Sequence, residues 1–317
     1  MTILNNNITT KKRKNGLQNK KRSDYIFCWA LLIWPIIQVC ITYIAVNCNS
    51  VILAFQSYDI NMNTSFAGFE NFKLAYLSLF STGGSLLSYV KNSAILFVAI
   101  NVLGFPINML FAFYICKKVR GSTFLRYCLM IPSIVSSMII ALLFIKVISV
   151  DGPVNGIIAT LGLERISFLS TDKSIMSTII FYMLWTGFAS TIIYYPNAMN
   201  SVGSEVIESS HIDGANDMAE FWYIRLPLIY PTITTFVVTG MCGILITTGP
   251  LFAFFEYDAP SGVWTTGYYF FRTVMGPGAS ERSYPVASAA GLIVSCIAAP
   301  ITYFVKWLME NHGPSED

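Results

Sequence analysis

Charged side chains are scarce in this 317-residue chain, 12% against 54% hydrophobic, and they lie between long apolar runs rather than inside them. So little charge cannot cover a water-soluble domain of this size, which excludes an ordinary globular protein. Histidine is scarcer still: His211 and His312 are the two present, and both fall outside the apolar runs. GxSxG, HExxH and a glycine-rich phosphate loop are missing, as are paired aspartates within the apolar runs, so the common hydrolase, metalloprotease and nucleotide-hydrolysing sites have no raw material. His211 and Asp213 stand close in sequence, but no nucleophile or ligand set accompanies them. The chain is therefore read as no enzyme, with no catalytic residue, no metal and no cofactor of its own. The seven cysteines, at 28, 40, 48, 116, 128, 242 and 296, form no CxxC pair and are odd in number. That argues against a disulfide framework or a zinc site, and leaves them as small apolar packing residues.

What is present is apolar length. A helix needs about 20 apolar residues to cross about 30 Å of hydrocarbon, and six windows qualify, at 26–55, 93–116, 126–149, 174–196, 228–255 and 284–308. The expectation is an all-α, polytopic membrane protein with six transmembrane helices. Basic residues set its orientation, because cytoplasmic flanks retain Lys and Arg. With the N-terminus inside, the inner flanks hold Lys11, Lys12, Arg13, Lys14, Lys20, Lys21, Arg22, Lys117, Lys118, Arg120, Arg126, Arg225 and Lys306. The outer loops hold Lys73, Lys91, Arg165, Lys173, Arg272 and Arg282, and Lys146 near an outer helix end can snorkel. An N-in, C-in topology follows. Residues 1–24 read as a retained basic tail rather than a cleaved signal, 25–310 as the transmembrane domain, and 311–317 as a C-terminal cytoplasmic tail.

Charge is nearly absent from the centres of the windows, which removes the usual signature of a proton relay or ion-coupled pump. A standalone secondary transporter remains the alternative, but no internal repeat is evident. Pro35, Pro106, Pro132, Pro231 and Pro300 lie in or near the windows, as static kinks or as hinges. Ala287, Ser288, Ala289, Ala290 and Gly291 form a small-residue face suited to close helix packing, within the chain or against a partner. Asn101 and Asn108, seven residues apart, share a helix face. Trp185, Thr186, Ser190, Thr191, Tyr194 and Tyr195 follow in the fourth window. Aromatic faces with hydroxyls and amides around them suit a carbohydrate path, while interhelical hydrogen bonds and an interfacial aromatic belt are the structural alternatives. Asn101, Asn108, Trp185, Thr191 and Tyr194 are the candidate path residues.

Between the fourth and fifth windows lies a polar island, Glu208 to Pro227. With Glu205 just before it, the stretch carries Glu205, Glu208, Asp213, Asp217 and Glu220 against Arg225 alone. Two short helices are expected, the first over 203–212 and ending at Asp213-Gly214. The second should gather Ala215, Met218, Phe221 and Trp222 on one apolar face. A helix this short is marginal alone. Its acidity argues against lying on anionic lipid and for a protein partner.

The spacing of Glu208, Ser209, Ser210, Gly214, Ile224, Leu226 and Pro227 resembles the coupling loop of ABC importer permeases: EAA, three residues, Gly, nine residues, Ile, one residue, Leu-Pro. Ala198, Met199, Asn200, Ser201 and Val202 resemble the run leading into that motif. Ser57-Tyr58-Asp59 with Phe66 through Phe72 resembles the outer signature of the larger permease type, and Asn92-Ser93 the opening of its next helix. The chain is thus similar to membrane subunits of carbohydrate-uptake ABC importers of the maltose and glycerol-3-phosphate kind. The resemblance implies a bacterial inner-membrane permease forming half of a translocation path. Its expected partners are a second homologous permease, two copies of an ABC ATPase carrying ATP and Mg, an extracytoplasmic solute-binding protein, a carbohydrate and the lipid bilayer, with no nucleic acid. It also implies ATPase-coupling roles for Glu205, Glu208, Asp213, Gly214, Ala215, Met218, Phe221, Leu226 and Pro227. Ser209 and Ser210 replace the two alanines and Gly203 a common proline, so a looser first coupling helix is expected. The aromatic-rich segment 249–283 resembles that of importers of larger oligosaccharides.

Overall fold

The computed structural model describes residues 25–59, 63–80 and 86–314, so the basic tail 1–24 and residues 315–317 lie outside the described residues. The chain opens with α1 (Tyr25–Ala54), followed by β1 (Gln56–Tyr58), β2 (Thr64–Phe66), α2 (Glu70–Phe80) and α3 (Leu86–Cys116). Next come α4 (Ser122–Ile134), α5 (Ser137–Ile148), α6 (Pro153–Thr160) and α7 (Asp172–Asn200). The polar island holds α8 (Ser204–Ile212) and α9 (Asp217–Leu228), and α10 (Tyr230–Gly243), α11 (Leu251–Phe255), α12 (Thr266–Met275) and α13 (Tyr284–His312) complete the order.

The chain is mostly helical but not all-α, because β1 and β2 form an antiparallel hairpin with Ser57 opposite Ser65. The Asn71 side chain donates to the carbonyls of Ala54 at 2.9 Å and Gln56 at 2.6 Å, fastening the hairpin to the end of α1. Among the described residues four helical stretches are long and apolar enough to cross a bilayer, α1, α3, α5 with α6, and α13, and the number reaches six when two bent pairs, the two parts of α7 and α9 with α10, each count as one span. The third window, 126–149, is not one helix: α4 stops at Ile134, Val135 turns extended, and α5 starts after Ser136. Pro132, which lacks an amide, sits just before that break. The fifth window, 228–255, also divides, since α10 ends at Gly243 and α11 starts only at Leu251. Between them Gly249 adopts φ +56°, and Pro250 follows.

Two ends of the bundle can be told apart by their contacts. At one, called the loop end, α8 and α9 meet the end of α3 through Lys117 and Glu220, and Tyr230 Oη donates to the Met309 carbonyl on α13 at 3.0 Å. At the other, Asn92 at the start of α3 donates to the carbonyls of Gly262 at 2.8 Å and Trp264 at 3.0 Å, and Ser93 Oγ accepts from the Thr266 amide. The small-residue face of α13 packs within the chain, where Ala289 and Ala290 are buried with Ala54, Ala75, Leu86 and Tyr89. By contrast, the residues of α1 from Tyr25 to Ile52 are all exposed, and Leu53 is half-buried.

Asn92 is buried and holds two carbonyls of the 261–266 turn at once. Asn92→Ala should destabilise the protein by about 1–3 kcal/mol, the cost of leaving buried acceptors unpaired. Thermal unfolding in a mild detergent measures it, and an unchanged midpoint would show the turn to be held by other contacts.

Candidate functional site

The polar island folds as two helices around a tight turn. Helix α8 ends at Asp213, and Gly214 enters the left-handed region at φ +87°. The Ala215 amide bonds to the Ser210 carbonyl and the Gly214 amide to that of His211, which is a Schellman closure. The hydroxyls of Ser209 and Ser210 turn back to the carbonyls of Val206 and Ile207. Asn216 then caps α9, its Oδ1 accepting the Ala219 amide at 2.8 Å. Past this cap the backbone widens into a π-helical stretch, Glu220–Arg225.

That stretch divides the face expected from 3.6-residue spacing. Phe221 turns inward, buried, and packs on the Phe113 ring of α3 at 5.1 Å between centroids. Met218 and Trp222 stay exposed, and Ala215 is half-buried. Glu205, Glu208, Asp213, Gly214 and Asp217 are exposed, and Leu226 and Pro227 are half-buried where α9 meets α10.

Glu220 departs from the acidic rim that its neighbours form: its side chain is 0% exposed. Lys117 Nζ donates to Oε2 at 2.6 Å, His211 Nε2 lies 2.7 Å from the same oxygen, and Arg225 Nε donates to Oε1 at 2.6 Å. Lys117 also pairs with Asp217 at 2.8 Å. Arg225 Nη1 reaches on to the Met199 carbonyl at the end of α7 and to Cys116 Sγ at the end of α3. Burial alone would push the Glu220 carboxyl up, but hydrogen bonds from Lys117, His211 and Arg225 outweigh it and hold the group at about 2. His211, Asp217 and Glu220 offer ligand atoms within 4.8 Å of one another, which a metal ion could use. The Lys117 ammonium already supplies positive charge between the two carboxylates. Sequence reading missed this cluster because Lys117 lies 103 residues from Glu220; the one local signal was Arg225, five residues on.

A cavity of about 360 Å³ lies between α3, α7 and α10. Asn101 and Asn108 of α3 and Thr191 of α7 line it, together with Tyr195, Phe105, Phe236 and Thr247. Asn101 lies within a π-helical turn, Ile100–Gly104, and Asn108 beyond it, and both remain in the cavity wall. Asn101 Nδ2 donates to the Phe97 carbonyl and Thr191 Oγ1 to that of Gly187. Asn108 Oδ1 is buried and has no hydrogen-bond partner among the described residues. The other two candidates lie elsewhere. Trp185 stacks on Phe144 at 6.0 Å, and the half-exposed Tyr194 ring sits 5.1 Å from Phe236 without lining the cavity.

Because the folded Glu220 is held near 2 while its ordinary value is 4.5, its ionisation stabilises the fold fully above about pH 4.5. That contribution fades as pH falls towards 2. Wild-type protein should therefore melt above Glu220→Gln at pH 7, with the gap closing progressively below pH 4.5 in detergent melting curves.

The multiple sugar-binding transport system permease protein MsmF of Streptococcus mutans is 25% identical over 71% of this chain and 76% of its own length. A probable ABC transporter permease protein, YesP of Bacillus subtilis, is 24% identical over 96% of this chain and 98% of its own. Among solved structures, a bacterial ABC transporter involved in import of the acidic polysaccharide alginate superposes with a TM-score of 0.73 over 93% of this chain and 99% of that one, at 24% identity, which shows a common fold. Residues 104–316, from the π-turn in α3 through both arms of the polar island to the end of α13, match the model described as binding-protein-dependent transport system inner membrane component, and the chain belongs to that family.

Proposed function

We propose that this chain is one permease half of an ATP-driven carbohydrate importer in the bacterial cytoplasmic membrane, with both termini and the α8–α9 loop on the cytoplasmic side. The observation that carries the reading is the cavity between α3, α7 and α10. Among the described residues no Asp, Glu, Lys, Arg or His lines it, whereas two asparagines, hydroxyls and aromatic rings do. Its size falls within the range of about 300–1,000 Å³ that suits small-molecule sites. Asn108 Oδ1 is a buried acceptor with no partner among the described residues, and a saccharide hydroxyl brought to it would satisfy it. An uncharged saccharide supplies such donors on one edge and an apolar face for Phe105 and Phe236. Relatives named for sugar transport support the same substrate class.

The loop supports the partner assignment. Glu205, Glu208, Asp213 and Asp217 are exposed beside the exposed apolar groups Ile212, Met218, Trp222 and Tyr223. An acidic rim around bare apolar side chains suits burial in a cleft of a protein with basic edges. In this reading two ATPase subunits take the loops of this chain and of a second, similar permease. A solute-binding protein delivers the sugar from outside, and ATP binding by the ATPases opens the path outward.

Purification of the tagged chain from its native cell should bring down an ATPase and a second permease in near-equal amounts. Recovery of the folded chain alone would defeat the coupling assignment and favour a secondary transporter. Asn108→Leu should lower saccharide uptake tenfold or more with the complex still assembled, whereas undiminished uptake would remove the cavity from the path. Glu208→Arg should prevent ATPase assembly or uncouple it, and full transport by that variant would count against docking at this loop.

A further inference from the structure

The loop touches the rest of the molecule through few groups, and one of them is chemically unusual. Glu220 has no solvent exposure, and its two oxygens gather Lys117 just beyond the end of α3, His211 on α8, and Arg225 on its own helix. Arg225 extends the connection to the Met199 carbonyl on α7 and to Cys116 on α3. Those two helices carry the cavity wall, α3 with Asn101 and Asn108 and α7 with Thr191 and Tyr195. Phe221, next in sequence, presses on the same end of α3 through Phe113. Helix α8 exposes the carboxylates Glu205 and Glu208, and His211 gives it a direct polar link to this centre.

We propose that Glu220 is a positioning residue for transport: it clamps both arms of the loop to the ends of α3 and α7, so that displacement of the loop moves the cavity walls. The inference rests on the importer reading. An apolar contact such as Phe221 on Phe113 can slide, because dispersion and hydrophobic burial are non-directional. Charge-assisted hydrogen bonds to fixed oxygens, at 2.6–2.7 Å, define direction as well as distance. Relative to apolar packing a buried ion cluster adds little net stability; what this one adds is a fixed direction between the loop and the ends of α3 and α7. Gln at position 220 keeps the shape and one acceptor for Arg225, but it loses the charge and turns an amide NH₂ towards Lys117 or His211. Lys117→Gln is milder, leaving the Glu220–Arg225 pair intact while loosening the tie to α3.

The test uses the complete transporter in proteoliposomes, comparing wild type, Glu220→Gln and Lys117→Gln for assembly, ATP hydrolysis and sugar delivered per ATP. The expected result is that Lys117→Gln, and Glu220→Gln where it assembles, keep at least half of the wild-type hydrolysis rate but deliver tenfold less sugar per ATP. A purely structural role would lower hydrolysis and delivery together, at an unchanged ratio, and that outcome overturns the proposal. Wild-type coupling in Lys117→Gln overturns it too. If the wild-type complex shows no ATP-dependent uptake, the importer reading itself falls, which separates that failure from failure of the clamp alone.

Discussion

A carboxylate removed from water has to be repaid in hydrogen bonds and opposite charge, and the loop end of this protein is arranged around that requirement at Glu220. Left unpaired, such a group would take up a proton or pull its helix back to solvent. Here Lys117, His211 and Arg225 converge on its two oxygens, and the second reach of Arg225 brings in the ends of α3 and α7. The positions of α8, α9 and these two helix ends are therefore mutually dependent. Phe221, Met109, Ala112, Tyr195 and Met199 fill the apolar space beneath the cluster.

Chemistry changes sharply between the two functional regions. The loop end concentrates ionic groups, while the cavity deeper in the bundle has only neutral polar ones. This division follows from the medium. Charges are costly within hydrocarbon depth, whereas amides and hydroxyls can spend part of their capacity on the helix itself, as Asn101 does on Phe97 and Thr191 on Gly187. Asn108 differs from them in that its Oδ1 is buried without a hydrogen-bond partner among the described residues.

What could be read from the sequence was local. Asp213-Gly214 marked the end of α8 because only a left-handed residue closes that helix, and φ +87° at Gly214 bears this out. Small residues on α13 pointed to a close contact, although whether within the chain or outside it needed Ala289 and Ala290 to be seen against Ala54 and Ala75. Long-range and register-breaking features were hidden. Nothing in spacing connects Lys117 to Glu220, and the π-helical stretch Glu220–Arg225 rotates its side chains away from the face that 3.6-residue periodicity assigns. Apolar windows likewise cannot distinguish one helix from two, so the breaks after Ile134 and Gly243 passed as continuous spans.

The meeting of α9 and α10 has a consequence of its own. The two helices differ in direction by 64°, with Ile229 between them and a proline on either side, Pro227 and Pro231. Pro227 cannot donate a ladder hydrogen bond and Pro231 suits the first turn of a new helix, so the sequence favours a bend here. A 14-residue helix such as α10 is about 21 Å long. Pivoting it by about 10° at the elbow would carry its far end about 4 Å sideways, by the geometry of a rigid rod of that length. Gly240 and Gly243 sit near that far end and border the cavity. A joint of this shape would turn a small rotation at the protein's edge into a change of aperture in its middle.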